Sequence, residues 1–290
     1  MRITIPEGTM ANILIMGCGD LGGAVGQQLA HGGHSVWGLR RRPEHIPKPI
    51  QPLAGDFGVA DGLPELPPAL DTVYFIATPG EFTEPAYRRA YVDGLRNTLT
   101  ALERASQQPR RVVFVSSTSV YGADDGRWVD ETSPTEPTRF SGRALREAEQ
   151  LLADSPFSGV VVRFGGIYGP GREYHLRKVR EGVRGQHEAP VWTNRIHRDD
   201  CVGLLTHLFH LDDPDPIYLG VDDEPALRHE LLAWLAQAME IDPPGTPPMP
   251  EGEVSGKRCC NKRLHASGYR LQYPDYRTGY RALLDHIATT

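Results

Sequence analysis

Cysteine is scarce in this chain: Cys18, Cys201, Cys259 and Cys260 are the whole complement among 290 residues. They show no metal-ligand spacing, and the adjacent Cys259 and Cys260 are sterically poor disulfide partners. The expectation is buried or incidental thiols in a reducing, cytoplasmic compartment. An excess of basic charge is also missing: 31 basic against 37 acidic residues give a net charge of −6. Nucleic-acid binding needs a clustered basic face, and the run Arg40-Arg41-Arg42 is too short to make one. No apolar run approaches the roughly 18 residues that span a bilayer, so no membrane contact is expected. No signal peptide is visible, and a start at Met10 is expected to lose little of the fold. His207 and His210 stand three apart without companion ligands, so no metal is expected.

What is present is an ordinary soluble composition, 39% hydrophobic and 23% charged, in a chain long enough for one large domain or two coupled ones. Short apolar runs at 12–16, 35–39, 72–77, 111–116 and 159–164 read as strands buried on both faces. Between them lie helical patterns. Leu21, Val25 and Leu29 make one stripe; Tyr87, Tyr91, Leu95, Leu99 and Leu102 make a longer one. This alternation predicts an α/β fold, a doubly wound parallel sheet over residues 11–164. After Phe164 glycine and proline become frequent, and helices are expected at 199–210, 227–239 and 276–287. Residues 165–290 read as a smaller, substrate-binding region, with 196–214 returning to the sheet. IDPPGTPPMPEGEVSGKR reads as a Pro/Gly-rich loop.

ILIMGCGDLGGAVGQQLA places Gly17, Gly19 and Gly22 in GxGxxG spacing between a strand and a helix, the context that gives the pattern meaning. Gly17 permits the tight turn, Gly19 lets a pyrophosphate approach, and Gly22 allows close helix–strand packing. The helix start at Asp20 and Leu21 then presents N–H groups to the phosphates. VWGLRRR puts Arg40, followed by Arg41, where an acid would bind the ribose 2′-OH of NAD. A guanidinium pairs with a phosphate, so NADP is the expected cofactor and NAD the less favoured one. Asp56, in AGDF, stands at the third strand's end, to meet the adenine amino group or cap a turn. Ala77 and Thr78 follow the fourth strand and are also candidate cofactor contacts.

FVSSTSVYG, VVRFGGIYGPGRE and NRIHRDDCVG follow in order. With the glycine loop they resemble the extended branch of the short-chain dehydrogenase/reductase superfamily, the NAD(P)-dependent epimerases and dehydratases. The likeness extends over nearly the whole chain. It implies a Rossmann-type domain, with Ser117 as the catalytic hydroxyl, Ser116 against the cofactor and Tyr121 shaping the pocket floor. It also implies a Tyr-x-x-x-Lys pair on the next helix. In RFSGRALREAE, Ser141 stands at the tyrosine position and Leu145 at the lysine position, so the usual acid–base pair is missing. An unperturbed tyrosine titrates near roughly pH 10 and needs a cationic neighbour to work. Tyr121 or Tyr168 could donate the proton with Ser117, leaving Ser141 as a relay at best. Arg143 or Arg146 could supply the charge, but pairing with Glu147 and Glu149 on an exposed face is the favoured expectation. Tyr168 and Arg172 could line the pocket. His197 reads as a packed structural histidine, and Asp199 or Asp200 as a helix cap.

The expected function is an NADP-dependent oxidoreductase transferring hydride on a small-molecule substrate, a small or nucleotide-linked carbonyl or alcohol. The alternatives are a non-catalytic NADP-binding sensor and a nucleotide-sugar epimerase with relocated acid–base residues. A homodimer is possible, because the 87–102 and 145–152 stripes could pair copies as readily as fill a core.

Overall fold

The computed structural model describes residues 10–183, 189–241 and 252–289. The segment before Met10 and residues 242–251 of the Pro/Gly-rich loop lie outside the described residues.

The central sheet has seven strands: β1 (Asn12–Met16), β2 (Ser35–Arg40), β3 (Gln51–Ala54), β4 (Thr72–Phe75), β5 (Arg111–Ser117), β6 (Gly159–Phe164) and β7 (Ile217–Gly220). Their order is β7-β6-β5-β4-β1-β2-β3, with β2 and β4 parallel to β1 on its two sides. The chain runs outward from β1 to β3, then crosses back to β4. That reversal opens a crevice beyond the carboxyl ends of β1 and β4, where ligands bind in sheets of this kind. Every residue of β4 is buried, as suits a strand covered on both faces. The edge strand β3 is largely exposed, and only such a strand tolerates Pro52, which has no N–H for a ladder.

The apolar stripes cover this sheet. Helix α1 (Asp20–His31) buries Leu21, Val25 and Leu29. A helical run from Glu84 to Arg104 buries Leu95, Leu99 and Leu102, and contains a π-helical stretch, Arg88–Asp93. Burying each such leucine contributes about 1.5–3 kcal/mol. Arg110 and Arg111 terminate the helix Arg198–His210: they donate to the carbonyls of Phe209, Leu208 and Leu211, which that helix end leaves unpaired.

The chain divides into two units. Among the described residues, the first comprises those within 10–120, 135–163 and 202–218, and the second those within 121–134, 164–201 and 219–289. The sequence reading kept 121–134 with the sheet. In the structure Trp128–Val129 pairs with Arg258–Cys259, which holds that segment in the second unit. The stretch 196–214 is divided, its residues from Val202 onward lying in the first unit.

Candidate dinucleotide-binding site

Gly17 leaves β1 at φ +91°, and a Cβ there would sit 2.2 Å from the Ile76 carbonyl oxygen, so only glycine fits the turn. Gly22 packs against that turn, its missing Cβ 2.6 Å from the Gly17 carbonyl oxygen. Around Gly19 the reverse holds: no atom lies within 4 Å of where a Cβ would be, so this side of the loop is open. Gly19 also caps α1 without a side-chain hydrogen bond, which leaves the helix start to be met by an anion. Cys18, between the glycines, is buried under Gly38, and burial raises its thiol to about 11, which makes it packing rather than a nucleophile.

A cleft of about 630 Å³ opens over this loop, within the range of small-molecule and cofactor sites. Gly17, Gly19, Arg40, Arg41, Asp56 and Thr78 line it together. The other candidates are placed differently. Asp20 is exposed in the first turn of α1, while Leu21 and Ala77 point into the core. Arg40 ends β2 and touches the His45 carbonyl at 3.4 Å, a weak tether for a guanidinium. Asp56 accepts the Gly58 N–H at 2.9 Å and an Arg89 N–H at 2.8 Å. Phe57, Glu81, Pro85 and Arg89 also line the cleft, and the sequence reading missed them. They stand on loops and a helix that carry no motif. The loop after β3 brings Phe57, and the connection after β4 brings Glu81, Pro85 and Arg89, over the glycine turn.

At the end of β5 the outward and inward serines differ. Ser117 is half-buried and its Oγ accepts the Ser119 N–H at 3.1 Å, which occupies a lone pair and leaves the hydroxyl proton to be donated. Ser116, expected against the cofactor, is instead buried and donates to Glu149 at 2.7 Å. Alternation along a strand sends it to the opposite face from its neighbour.

The helix Phe140–Ala153 corrects a second expectation. Glu149 is not an exposed partner of the arginines. It is buried, and Arg163 grips both its oxygens, Nε at 2.9 Å and Nη2 at 2.7 Å. Glu147 pairs with Arg88 instead, Arg143 bonds the Thr138 carbonyl, and Arg146 bonds Thr135 and Gln150. Ser141 and Leu145, at the positions of the usual catalytic pair, both lie on the buried face of this helix.

In the second unit Tyr121 is buried, and its hydroxyl donates to the Asp130 carbonyl at 2.7 Å. Tyr168 is a core residue there: it stacks on Tyr280 at 4.3 Å, and its hydroxyl fills the space where a Gly279 side chain would be. Burial pushes its phenol well above the ordinary value, and among the described residues the hydroxyl has no hydrogen-bond partner. That environment opposes a role as proton donor. His197 is packed as expected, 3.9 Å from the Tyr273 ring, and burial lowers its pKa. Asp200 is more than a helix cap. Fully buried, it accepts the N–H groups of Gln272 and Tyr273 and the Tyr269 hydroxyl, tying 269–273 to the helix start.

A parallel sheet with a glycine turn and an open cleft at its switch point defines a dinucleotide-binding α/β protein of the Rossmann type. Residues 13–203 match the model of the NAD dependent epimerase/dehydratase family, and the chain belongs to that family. It is 32% identical over 174 residues to Protein YeeZ of Escherichia coli K12, a match covering 57% of this chain and 59% of that protein's length. A Methylobacillus flagellatus structure solved under the family description NAD-dependent epimerase/dehydratase is 40% identical and covers 97% of this chain and 100% of its own, with a TM-score of 0.79. The human epimerase family protein SDR39U1, solved with NADPH, shares the fold at 22% identity and a TM-score of 0.73, over 94% of this chain and 99% of that one. Among the described residues no helix is long and apolar enough to cross a membrane, and no cluster of three or more metal-ligating side chains is found.

Proposed function

We propose that this protein is an NADP-dependent oxidoreductase of the epimerase/dehydratase type, acting on a small or nucleotide-linked carbonyl or alcohol. The observation that carries this reading is the cleft itself: the open face of Gly19 and the two guanidiniums of Arg40 and Arg41 line one cavity. The residues fit a dinucleotide with an extra phosphate. The uncapped start of α1 takes the diphosphate, and Arg40 takes the 2′-phosphate through charge-assisted bonds. A bound nicotinamide dinucleotide supplies hydride transfer. Ser117 then donates a hydrogen bond from its hydroxyl to the substrate oxygen and holds it where charge develops. The family description names NAD, so the NADP reading rests on these arginines alone.

The sensor reading draws support from one observation. Ser141 and Leu145 are buried, Tyr121 is engaged and Tyr168 is core, so none of these four stands ready for acid–base work. The epimerase reading rests on the family alone.

The test is direct. Purified protein is titrated with NADPH and NADH, then mixed with NADPH and a panel of carbonyl compounds while reduced nicotinamide absorbance is followed. Turnover that vanishes in Ser117→Ala supports the oxidoreductase. Tight NADPH binding with no turnover on any compound transfers the weight to the sensor. Failure to bind either dinucleotide ends the whole reading.

A further inference from the structure

The charges lining the cleft conflict with the cofactor proposed for it. Arg40, Arg41 and Arg89 are set against Asp56 and Glu81, which leaves one net positive charge. Without Arg89 nothing is left over, and an uncompensated Asp56 carboxylate shares the cavity with the phosphate that Arg40 is there to hold.

The structure resolves the conflict locally. Arg89 Nη2 donates to Asp56 Oδ2 at 2.8 Å, and the Gly58 N–H occupies Oδ1 at 2.9 Å, so both carboxylate oxygens are engaged. Arg89 projects from the π-helical stretch Arg88–Asp93, and its side chain packs where a Gly58 Cβ would lie, 2.9 Å away. The arginine is exposed at 54% and the aspartate half-buried at 27%, and ion pairs so open to solvent add little to folding. The pair's consequence is therefore the field in the cleft rather than the stability of the fold.

We propose that Arg89 is a specificity-determining residue: it masks the Asp56 carboxylate so that a 2′-phosphate can be bound beside it. This rests on the NADP reading above and extends it. Arg40 provides the attraction, and Arg89 removes the repulsion.

The experiment uses fragments carrying only the adenosine end, 2′,5′-ADP and 5′-AMP, titrated calorimetrically into the full chain and its variants. Arg89→Met is expected to weaken 2′,5′-ADP about tenfold while changing 5′-AMP less than about threefold, the size of one lost charge at partly screened range. Arg89→Lys keeps the charge and is expected to retain most of the preference. The deciding variant is Arg89→Met combined with Asp56→Asn, which retains an acceptor for Gly58 and removes the charge to be masked. Masking predicts that it recovers 2′,5′-ADP binding. A selective loss that Asp56→Asn does not recover means Arg89 holds the phosphate itself and overturns masking. Equal loss of both ligands overturns any role in specificity. Wild-type protein indifferent to the 2′-phosphate refutes the NADP reading before any variant is made, which separates the two failures.

Discussion

Two ends of one sheet edge have diverged. Over β1 and β2 the features proposed to hold a dinucleotide meet in one cleft: the forced turn at Gly17, the open face of Gly19, and arginines at the strand end. Over β5 the helix Phe140–Ala153 keeps its packing face and buries Ser141 and Leu145, the two residues that the family resemblance sets at the positions of the acid–base pair. Below them Ser116, Glu149 and Arg163 form a buried polar knot. The comparison teaches that binding and chemistry are separable in this architecture. The turn is enforced by backbone sterics, whereas the acid–base pair is a matter of two side chains that a helix can lose without losing its seat.

The comparison can be broken at several points. The largest expected effect is at the knot. Arg163→Met strands the Glu149 carboxylate in the core, and removing one partner of a buried pair costs about 3–5 kcal/mol. Urea unfolding should show it, and a loss under about 1 kcal/mol would mean that water reaches Glu149 after all. Gly17→Ala comes next. Its Cβ meets the Ile76 carbonyl and its φ is unfavourable, so a loss of about 2–4 kcal/mol is expected together with loss of NADPH binding. Stable protein that still binds NADPH would show that the turn is not what holds the cofactor.

In the second unit His175 provides a third point. Burial lowers its pKa to about 4, and its Nδ1 pairs with the Tyr280 hydroxyl at 3.1 Å. Because the folded value lies below the unfolded one, the unfolded chain binds more protons between pH 6.5 and 4. Stability is therefore full above pH 6.5 and falls by about 2–3 kcal/mol as pH drops through that window. Thermal melts of His175→Gln should be flatter over the same range, and an identical slope would clear His175 of the effect. The smallest effect sharpens the cofactor side. Arg40→Ala should weaken NADPH by about 1–2 kcal/mol and NADH much less, while leaving the melting temperature nearly unchanged. Equal loss for both would remove Arg40 from the 2′-phosphate.

Much of this was legible from periodicity. Strands buried on both faces announce themselves as unbroken apolar runs, as in β1 and β4, and helix stripes such as Leu21, Val25 and Leu29 repeat every turn. The glycine turn was legible because each glycine answers a local steric demand. Ser116 and Glu149 were not. A serine beside the candidate Ser117 and a glutamate among arginines show no sign of burial in a string of letters; only their contact with each other, and that of Glu149 with Arg163 in β6, reveals it. Arg89 was hidden for the same reason: it stands between Tyr87 and Tyr91 of the apolar stripe, and only the fold brings Asp56 beside it.

By itself the sequence determined the parallel sheet, the turn after β1 and the presence of a serine and a leucine at 141 and 145. Each is set by backbone sterics, by periodic burial or by residue identity, all of which act within a few neighbouring residues. Tertiary structure alone decided which charges meet: Glu149 with Arg163, Asp56 with Arg89, Asp200 with the 269–273 segment. Electrostatic pairing depends on distance in space, and residues 14 to 73 positions apart become neighbours only when the sheet and its crossovers have been built.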